Sequence, residues 1–242
     1  MYEKIKDFQI TIVALIIVIA IISSTAIINT SISKESISVT GSAYKLVKSD
    51  TAVLRLDIKE RNINKAEAYN ALKRQIPAVK EYLLKEGIKE ENITIKTPTN
   101  YPIYKYDPKT GYSTNQIAAY NFSQIIEIKS NDVEKIKELS LSVQNLLDKG
   151  VDINVNAPEY YYSKLGEIKI ELLKAASEDA KQRAKGMLSA TNNDVAKIRS
   201  VKMGVFQITP ADSNDVSDLG MNDSSAIEKK VTAVANVVFG IK

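Results

Sequence analysis

Residues 51–61, TAVLRLDIKER, decide the fold class of this chain of 242 residues. Apolar residues at positions 52, 54, 56 and 58 alternate with Val53 and with charged residues at 55, 57 and 59. Successive side chains of a β-strand point to opposite faces, so this alternation predicts a strand with one buried face and one wet face.

Three later segments have the periodicity of amphipathic helices. The first follows at once, with Asn64 as N-cap and Glu67 three residues on, as in a capping box. The second is predicted from Asn131, with Glu134 closing another capping box, to Gly150, and the third from about Lys164 to Thr191. Their apolar residues recur at intervals of three and four: Ala68, Leu72, Ile76, Val79 and Leu83; Val133, Ile136, Leu139, Val143 and Leu146; Leu172, Ala176, Ala180, Ala184 and Met187.

The remaining segments are strands and turns. Strands are predicted at residues 37–47, 93–106, 117–129, 151–162, 196–208 and 231–241, and residues 209–225 are predicted to form a mobile polar loop. Helices are too few for a doubly wound parallel sheet, and several strands adjoin through short turns. We therefore expect an α+β fold in which three helices pack on a mostly antiparallel sheet.

The chain has no charged residue between Asp7 and Lys34. The segment Phe8–Ile28 is long enough to cross a bilayer, which takes roughly 20 apolar residues in a helix. It is longer than the apolar region of a signal peptide, and no clear small-residue cleavage site follows. Residues 1–35 are thus predicted to be a cytoplasmic tail, a transmembrane anchor and a linker. Residues 36–242 would lie outside the cytoplasm, and secretion or periplasmic release after signal cleavage is the alternative.

The amino-acid composition excludes the kinds of catalytic and metal site that need histidine or cysteine. The chain has no histidine and no cysteine, so it has no imidazole base, no thiol nucleophile and no zinc–thiolate site. Its 33 basic and 29 acidic side chains give no electrostatic case for nucleic acid. We predict no catalytic residue, no cofactor and no metal site.

Two acidic features have alternative interpretations. Asp50 could pair with Glu159 or Asp179 as the two carboxylates of a glycan hydrolase, or it could be a turn residue. The oxygen-bearing side chains of Asp212, Asn214, Asp215 and Asp218 could bind a hard cation, but Ser217 stands where a calcium loop needs glycine. A solvated loop is the expectation there.

Tyrosine is concentrated on two predicted neighbouring strands. Tyr101, Tyr104, Tyr106, Tyr112 and Tyr120 could form an interaction or oligomer surface, because tyrosine buries a large area and keeps a polar tip. The alternative is the ordinary preference of aromatic residues for strands.

Several short motifs occur along the chain in a characteristic order. They are Gly41-Ser-Ala43 leading to Ser49-Asp50-Thr-Ala52; Gly87-Ile88 followed by Asn92-Ile93; the tyrosine-rich strand pair; and Ala176, Asp179, Ala180, Arg183 and Ala184. With these motifs the chain resembles the SIMPL-domain family, that of the bacterial periplasmic immunogenic proteins, from about residue 37 to 241. Ala43 replaces the family's second glycine, and Ser49 replaces its proline.

The resemblance implies an exported α+β protein that forms homo-oligomers, in some members rings, and it carries over no catalytic residue. The expected function is binding or assembly at the cell envelope without catalysis. The alternative is a histidine-free hydrolase that attacks an envelope polymer with two carboxylates.

Overall fold

The computed structural model describes residues 16–20 and 35–242 of the chain. Within these residues, no helix combines the length and the apolar character that a membrane span requires. The predicted span Phe8–Ile28 lies outside the described residues, except for residues 16–20, which are helical.

Residues 35–242 contain eleven strands, three α-helices and two short 3₁₀ segments. The helices are α1 (Lys65–Lys85), α2 (Val133–Ser142) and α3 (Leu165–Ser189). The strands are β1 (Ser36–Lys48), β2 (Thr51–Asn62), β3 (Ile93–Ile95), β4 (Thr99–Tyr106), β5 (Ser113–Ser130), β6 (Ile153–Val155), β7 (Glu159–Tyr161), β8 (Val195–Met203), β9 (Gln207–Pro210), β10 (Met221–Asn222) and β11 (Glu228–Ile241). Of the pairs with a defined register, only β9–β10 is parallel. The predicted α+β class with mostly antiparallel strands is confirmed.

The described residues form two compact units. The larger unit contains residues 44–170 and 205–232, and the smaller unit contains residues 35–43, 171–204 and 233–242. Strands β1 and β11 and helix α3 run through both. The first half of β11 pairs with β9 in the larger unit, and its second half pairs with β8 in the smaller unit.

Strand β2, which contains the alternating residues 51–61, lies at the centre of the larger unit. It belongs to a sheet of order β3-β5-β2-β6, with β4 also on β5 and β7 also on β2. The side chains of Ala52, Leu54, Leu56 and Ile58 are completely buried, as the alternation predicted. Helices α1 and α2 add further core residues, including Leu72, Val79, Leu83, Ile136 and Leu139, and the 3₁₀ segment Val143–Lys149 adds Val143 and Leu146.

The helix starts follow the capping predictions in part. Asn64 Oδ1 accepts hydrogen bonds from Ala66 N and Glu67 N, at 2.9 and 3.3 Å. In a complete capping box the Glu67 side chain would accept a hydrogen bond from Asn64 N. Here Asn64 N donates to Asn62 Oδ1 instead. Helix α2 is capped one residue later than predicted, by Asp132, which accepts from Lys135 N.

Three predicted strands are divided. Residues 93–106 form β3 and β4, residues 151–162 form β6 and β7, and residues 196–208 belong to β8 and β9. Pro98 and Pro158 stand in the first two breaks, where a residue without a backbone N–H cannot donate a ladder hydrogen bond. Residues 209–225, predicted to be loop, contain the end of β9 and all of β10.

In the smaller unit, β1 packs closely on the alanine stripe of α3. A Cβ atom on Gly41 would lie 2.1 Å from Ala176 O and 2.4 Å from Ala180 N. Beside it, Ser42 N donates to Asp179 Oδ2 at 2.8 Å. Leu172, Ala176, Ala180 and Ala184 are buried as predicted, but Met187 is 59% exposed. Leu188 ends the buried stripe instead, because it lies about one helical turn, four residues, after Ala184.

Candidate functional site

The tyrosine-rich strands form a two-stranded extension of the larger unit. Strand β2 ends at Asn62, opposite Tyr120 of β5. Among the described strands, the part of β5 before Tyr120 therefore pairs only with β4. We call residues 103–119 the hairpin arm. Its turn is closed by hydrogen bonds from Asp107 N to Tyr112 O and from Gly111 N to Asp107 O, at 2.9 and 2.8 Å.

Four of the five predicted tyrosines are exposed on or beside this arm. The exposed fractions are 57% for Tyr101, 43% for Tyr104, 71% for Tyr106 and 77% for Tyr112. Tyr120 is partly buried against the core, with Lys65 Nζ 5.8 Å from its ring centroid. The structure thus separates Tyr120 from the other four.

A β-bulge lies among the exposed tyrosines. Tyr101 lies opposite Asn121, and after a register shift Tyr104 lies opposite Ile117. The extra residue of the bulge is in β5, so β4 alternates without interruption and Tyr101 and Tyr104, three residues apart, point to opposite faces. Tyr101 shares the face of Asn121, away from the core side chains Ile126 and Ile128, whereas Tyr104 shares a face with Ile117, which is 37% exposed.

The face that carries Tyr101 also carries an ion-pair network. Arg55 contacts Glu127 through Nε and Glu159 through Nη1, both at 2.9 Å, and Lys96 Nζ lies 2.9 Å from Glu127. A hydrogen bond from the Tyr161 hydroxyl, and then one from Arg55, lowers the pKa of Glu159 below its usual value. Glu159 is therefore an ionised carboxylate with two protein partners.

Asp50 has the environment of a turn residue. Its carboxylate accepts hydrogen bonds from Ser163 N at 2.9 Å and Ser163 Oγ at 2.6 Å, just before α3 begins. Burial raises its pKa, but the hydrogen bonds from Ser163 and Thr51 outweigh burial and leave the pKa below its ordinary value. Asp179 has other partners, since it accepts from Ser42 N and contacts Arg183 Nε at 2.8 Å.

The acidic loop shows no metal-binding geometry. In the part of the chain that the structure describes, no three His, Cys, Asp or Glu residues are grouped as metal ligands. Asn214 Oδ1 accepts from Lys230 Nζ at 3.1 Å, and Asp215 Oδ2 accepts from Ser213 Oγ at 2.8 Å. Asp212 and Asp218 are both exposed.

The loop is nevertheless held by a residue that sequence reasoning missed. The buried side chain of Gln207 donates through Nε2 to Ser217 O at 2.7 Å and accepts from Ser217 N at 3.3 Å. A glutamine amide that pairs with both backbone groups of one residue replaces a ladder partner for that residue. The polar composition of residues 209–225 gave no signal for this clasp.

A buried ion pair was also missed. Lys229 is 2% exposed, and its Nζ donates to Asp223 O at 2.7 Å and Asp223 Oδ2 at 2.8 Å. Burial raises the pKa of Asp223, but hydrogen bonds from Lys229, Ser225 and Ala226 outweigh burial and lower the pKa to about 2. The pair borders a cavity of about 130 Å³ whose lining includes Tyr160, Tyr162 and Ile208. The sequence did contain a signal for this pair, because Lys229 falls on the same alternating, buried face of β11 as Val231 and Ala233.

A sequence model of the SIMPL family, described as "Protein of unknown function (DUF541)", matches residues 37–239. The match covers most of the chain, and the chain belongs to this family, as its motifs predicted. No curated protein matches the chain.

Proposed function

We propose that this SIMPL-family chain is a single-pass membrane protein of the cell envelope that binds and assembles and has no catalytic activity. Residues 36–242 would lie outside the cytoplasm and associate with further copies through the hairpin arm and Tyr101. The uncharged segment Phe8–Ile28 supports the anchor, and the exposed tyrosines support the association.

The observation that carries the proposal is the exposure of aromatic side chains on an isolated pair of strands. A two-stranded hairpin is at best marginally stable in water, so further packing would stabilise the arm. Its outer edges leave backbone groups available to another strand. Tyrosine is enriched at the buried centres of protein interfaces, where a single residue can contribute about 2 kcal/mol or more.

The candidate carboxylates argue against hydrolysis. A glycosidase needs one carboxyl group whose raised pKa keeps a proton for the leaving group. The pKa values of both Asp50 and Glu159 lie below their ordinary values, because each accepts hydrogen bonds from protein donors. No observation favours the hydrolase, so binding and assembly is the function we put forward.

The test of association is light scattering after size-exclusion chromatography on the full chain in a mild detergent. We expect an oligomer at tens of micromolar, and Tyr104→Ser should weaken association by roughly thirtyfold, the equivalent of about 2 kcal/mol. Tyr44→Ser is the matched control, because Tyr44 is 67% exposed on β1, outside the arm. A monomeric wild-type chain, or equal behaviour of the two variants, would refute the role of the arm.

The anchor has a separate test. N-terminal sequencing of the native protein should begin at or near Met1, and protease added outside intact cells should digest residues 36–242. A sequence that begins beyond residue 22 would instead support secretion after signal cleavage.

A further inference from the structure

Strand β8 carries an apolar row that the described residues of its own unit leave exposed. Its register places Ile198, Val201 and Met203 opposite Phe239, Val237 and Ala235 of β11. Directly opposed residues share a face, so this row lies on the same face as three β11 residues that are at most 1% exposed. The β8 residues are 56%, 51% and 62% exposed.

The same strand is an edge. Among the described strands, β8 pairs only with β11, so its outer backbone groups have no strand partner. Contiguous exposed apolar residues on a sheet edge mark a contact surface or an aggregation hazard. We call Ile198, Val201, Met203 and the two lysines of the strand, Lys197 and Lys202, the β8 edge; Lys202 lies opposite Asn236 and so points to the other face of β8.

Charge limits what can cover the β8 edge. Residues 195–203 contain three basic side chains and no acidic one. Lys197 and Lys202 are exposed, and neither forms an ion pair within the described part of the chain. A second β8 edge would bring like charges together, which is unfavourable across paired strands. The complementary surface should be acidic and should offer apolar side chains.

The loop of residues 211–220 has both properties. It contains three aspartates and no basic residue. Val216 is 81% exposed and Leu219 is 94% exposed, the highest values among the large apolar residues that the structure describes. The clasp from Gln207 holds Ser217 between them, so ordering the loop on binding would cost little entropy.

We propose that this loop of one copy docks along the β8 edge of another copy, with Val216 and Leu219 against the apolar row and the aspartates reaching the lysines across the outer edge of the strand. The inference rests on the self-association proposed above and deepens it by assigning a second, charge-selective contact. Because surface charges supply part of this contact, added salt should weaken it.

Charge reversal tests the pairing. The loop variant is Asp212→Lys with Asp218→Lys, and the edge variant is Lys197→Glu with Lys202→Glu. Light scattering on the full chain in detergent at low ionic strength should show association at least about tenfold weaker for each variant alone. An equimolar mixture of the two variants should recover wild-type association, as should a chain with all four changes. The control is Glu86→Lys with Glu138→Lys, two exposed residues elsewhere, which should behave as wild type.

The chain has no cysteine, so a disulfide can report the contact directly. Mild oxidation of a mixture of Leu219→Cys and Val201→Cys chains should give a mixed dimer in preference to either self-dimer. If the charge variants associate like wild type, the lysines serve only to protect the edge, and the inference is wrong. Failure of the mixture to recover, or absence of the mixed disulfide, also overturns it.

The two proposals can fail separately. Loss of association in Tyr104→Ser but not in the charge variants would retain the arm and reject the loop contact. The opposite pattern would retain the loop contact and reject the arm. A wild-type chain that is monomeric at low ionic strength would reject both.

Discussion

Gly41→Ala tests whether close packing of β1 on α3 determines the stability of the smaller unit. The added Cβ would lie 2.1 Å from Ala176 O, whereas ordinary contacts of a Cβ atom begin near 3.4 Å. The obstructing atoms belong to a helix backbone and cannot rotate away, so strand and helix must separate by more than 1 Å. Overpacking typically costs about 1–3 kcal/mol, and the rigidity of both elements places this change at about 3 kcal/mol.

The measurement is the free energy of unfolding from urea titrations followed by circular dichroism. Gly186→Ala is the matched control, because nothing lies within 4 Å of the Cβ it would add. Alanine is favoured over glycine inside a helix by up to about 1 kcal/mol, so this control should be neutral or stabilising. If Gly41→Ala changes the free energy of unfolding by less than about 0.5 kcal/mol, the packing argument is wrong.

Three further predictions concern the alanine face of α3, the buried ion pair and the polar loop. Ala180→Leu should cost about 1–3 kcal/mol by overpacking, and Lys181→Leu, on the exposed side, should be nearly neutral in the same titration; equal effects would refute the assigned face. Because the pKa of Asp223 is lowered from 3.8 to about 2, its ion pair stabilises the fold above pH 4, and this contribution is lost as the pH falls towards 2. Asp223→Asn should therefore cost about 2 kcal/mol at pH 7 and flatten the loss of stability between pH 4 and 2; an unchanged acid transition would contradict this. A short Gly/Ser linker in place of residues 212–216 should leave the melting temperature within a few degrees. Replacing residues 211–224 also removes Asp223, the partner of buried Lys229, and should lower the melting temperature much further. Equal melting temperatures of the two variants would count against the ion pair.

The core of the larger unit could be predicted because local periodicity determines which side chains are buried. Alternation identified the four buried residues of β2, and intervals of three and four identified the buried faces of α1 and α2. Gly87 and Gly150 have φ angles of 77° and 79°, as expected of glycines that end helical segments. These features depend on neighbours in sequence, so the sequence alone is sufficient.

The candidate surfaces could not be predicted in the same way, because they depend on pairing between distant residues. The position of Ile117 opposite Tyr104 results from a bulge in the β4–β5 register, which no local pattern encodes. The smaller unit is assembled from three separate segments of the chain. The exposure of Val201 follows from its position opposite Val237 on an edge strand, and that position is fixed only by the fold.

The residues that carry the family resemblance explain packing more directly than function. Gly41 and the alanines of α3 are far apart in sequence, yet Gly41 leaves room for the backbone of Ala176 and Ala180. Asp179, in the same helix motif, accepts a hydrogen bond from the backbone of Ser42. Motifs that join two elements in this way identify the fold, and a fold can serve many functions. The specificity of this protein is therefore to be sought at exposed positions outside those motifs, on the hairpin arm, the β8 edge and the loop clasped by Gln207.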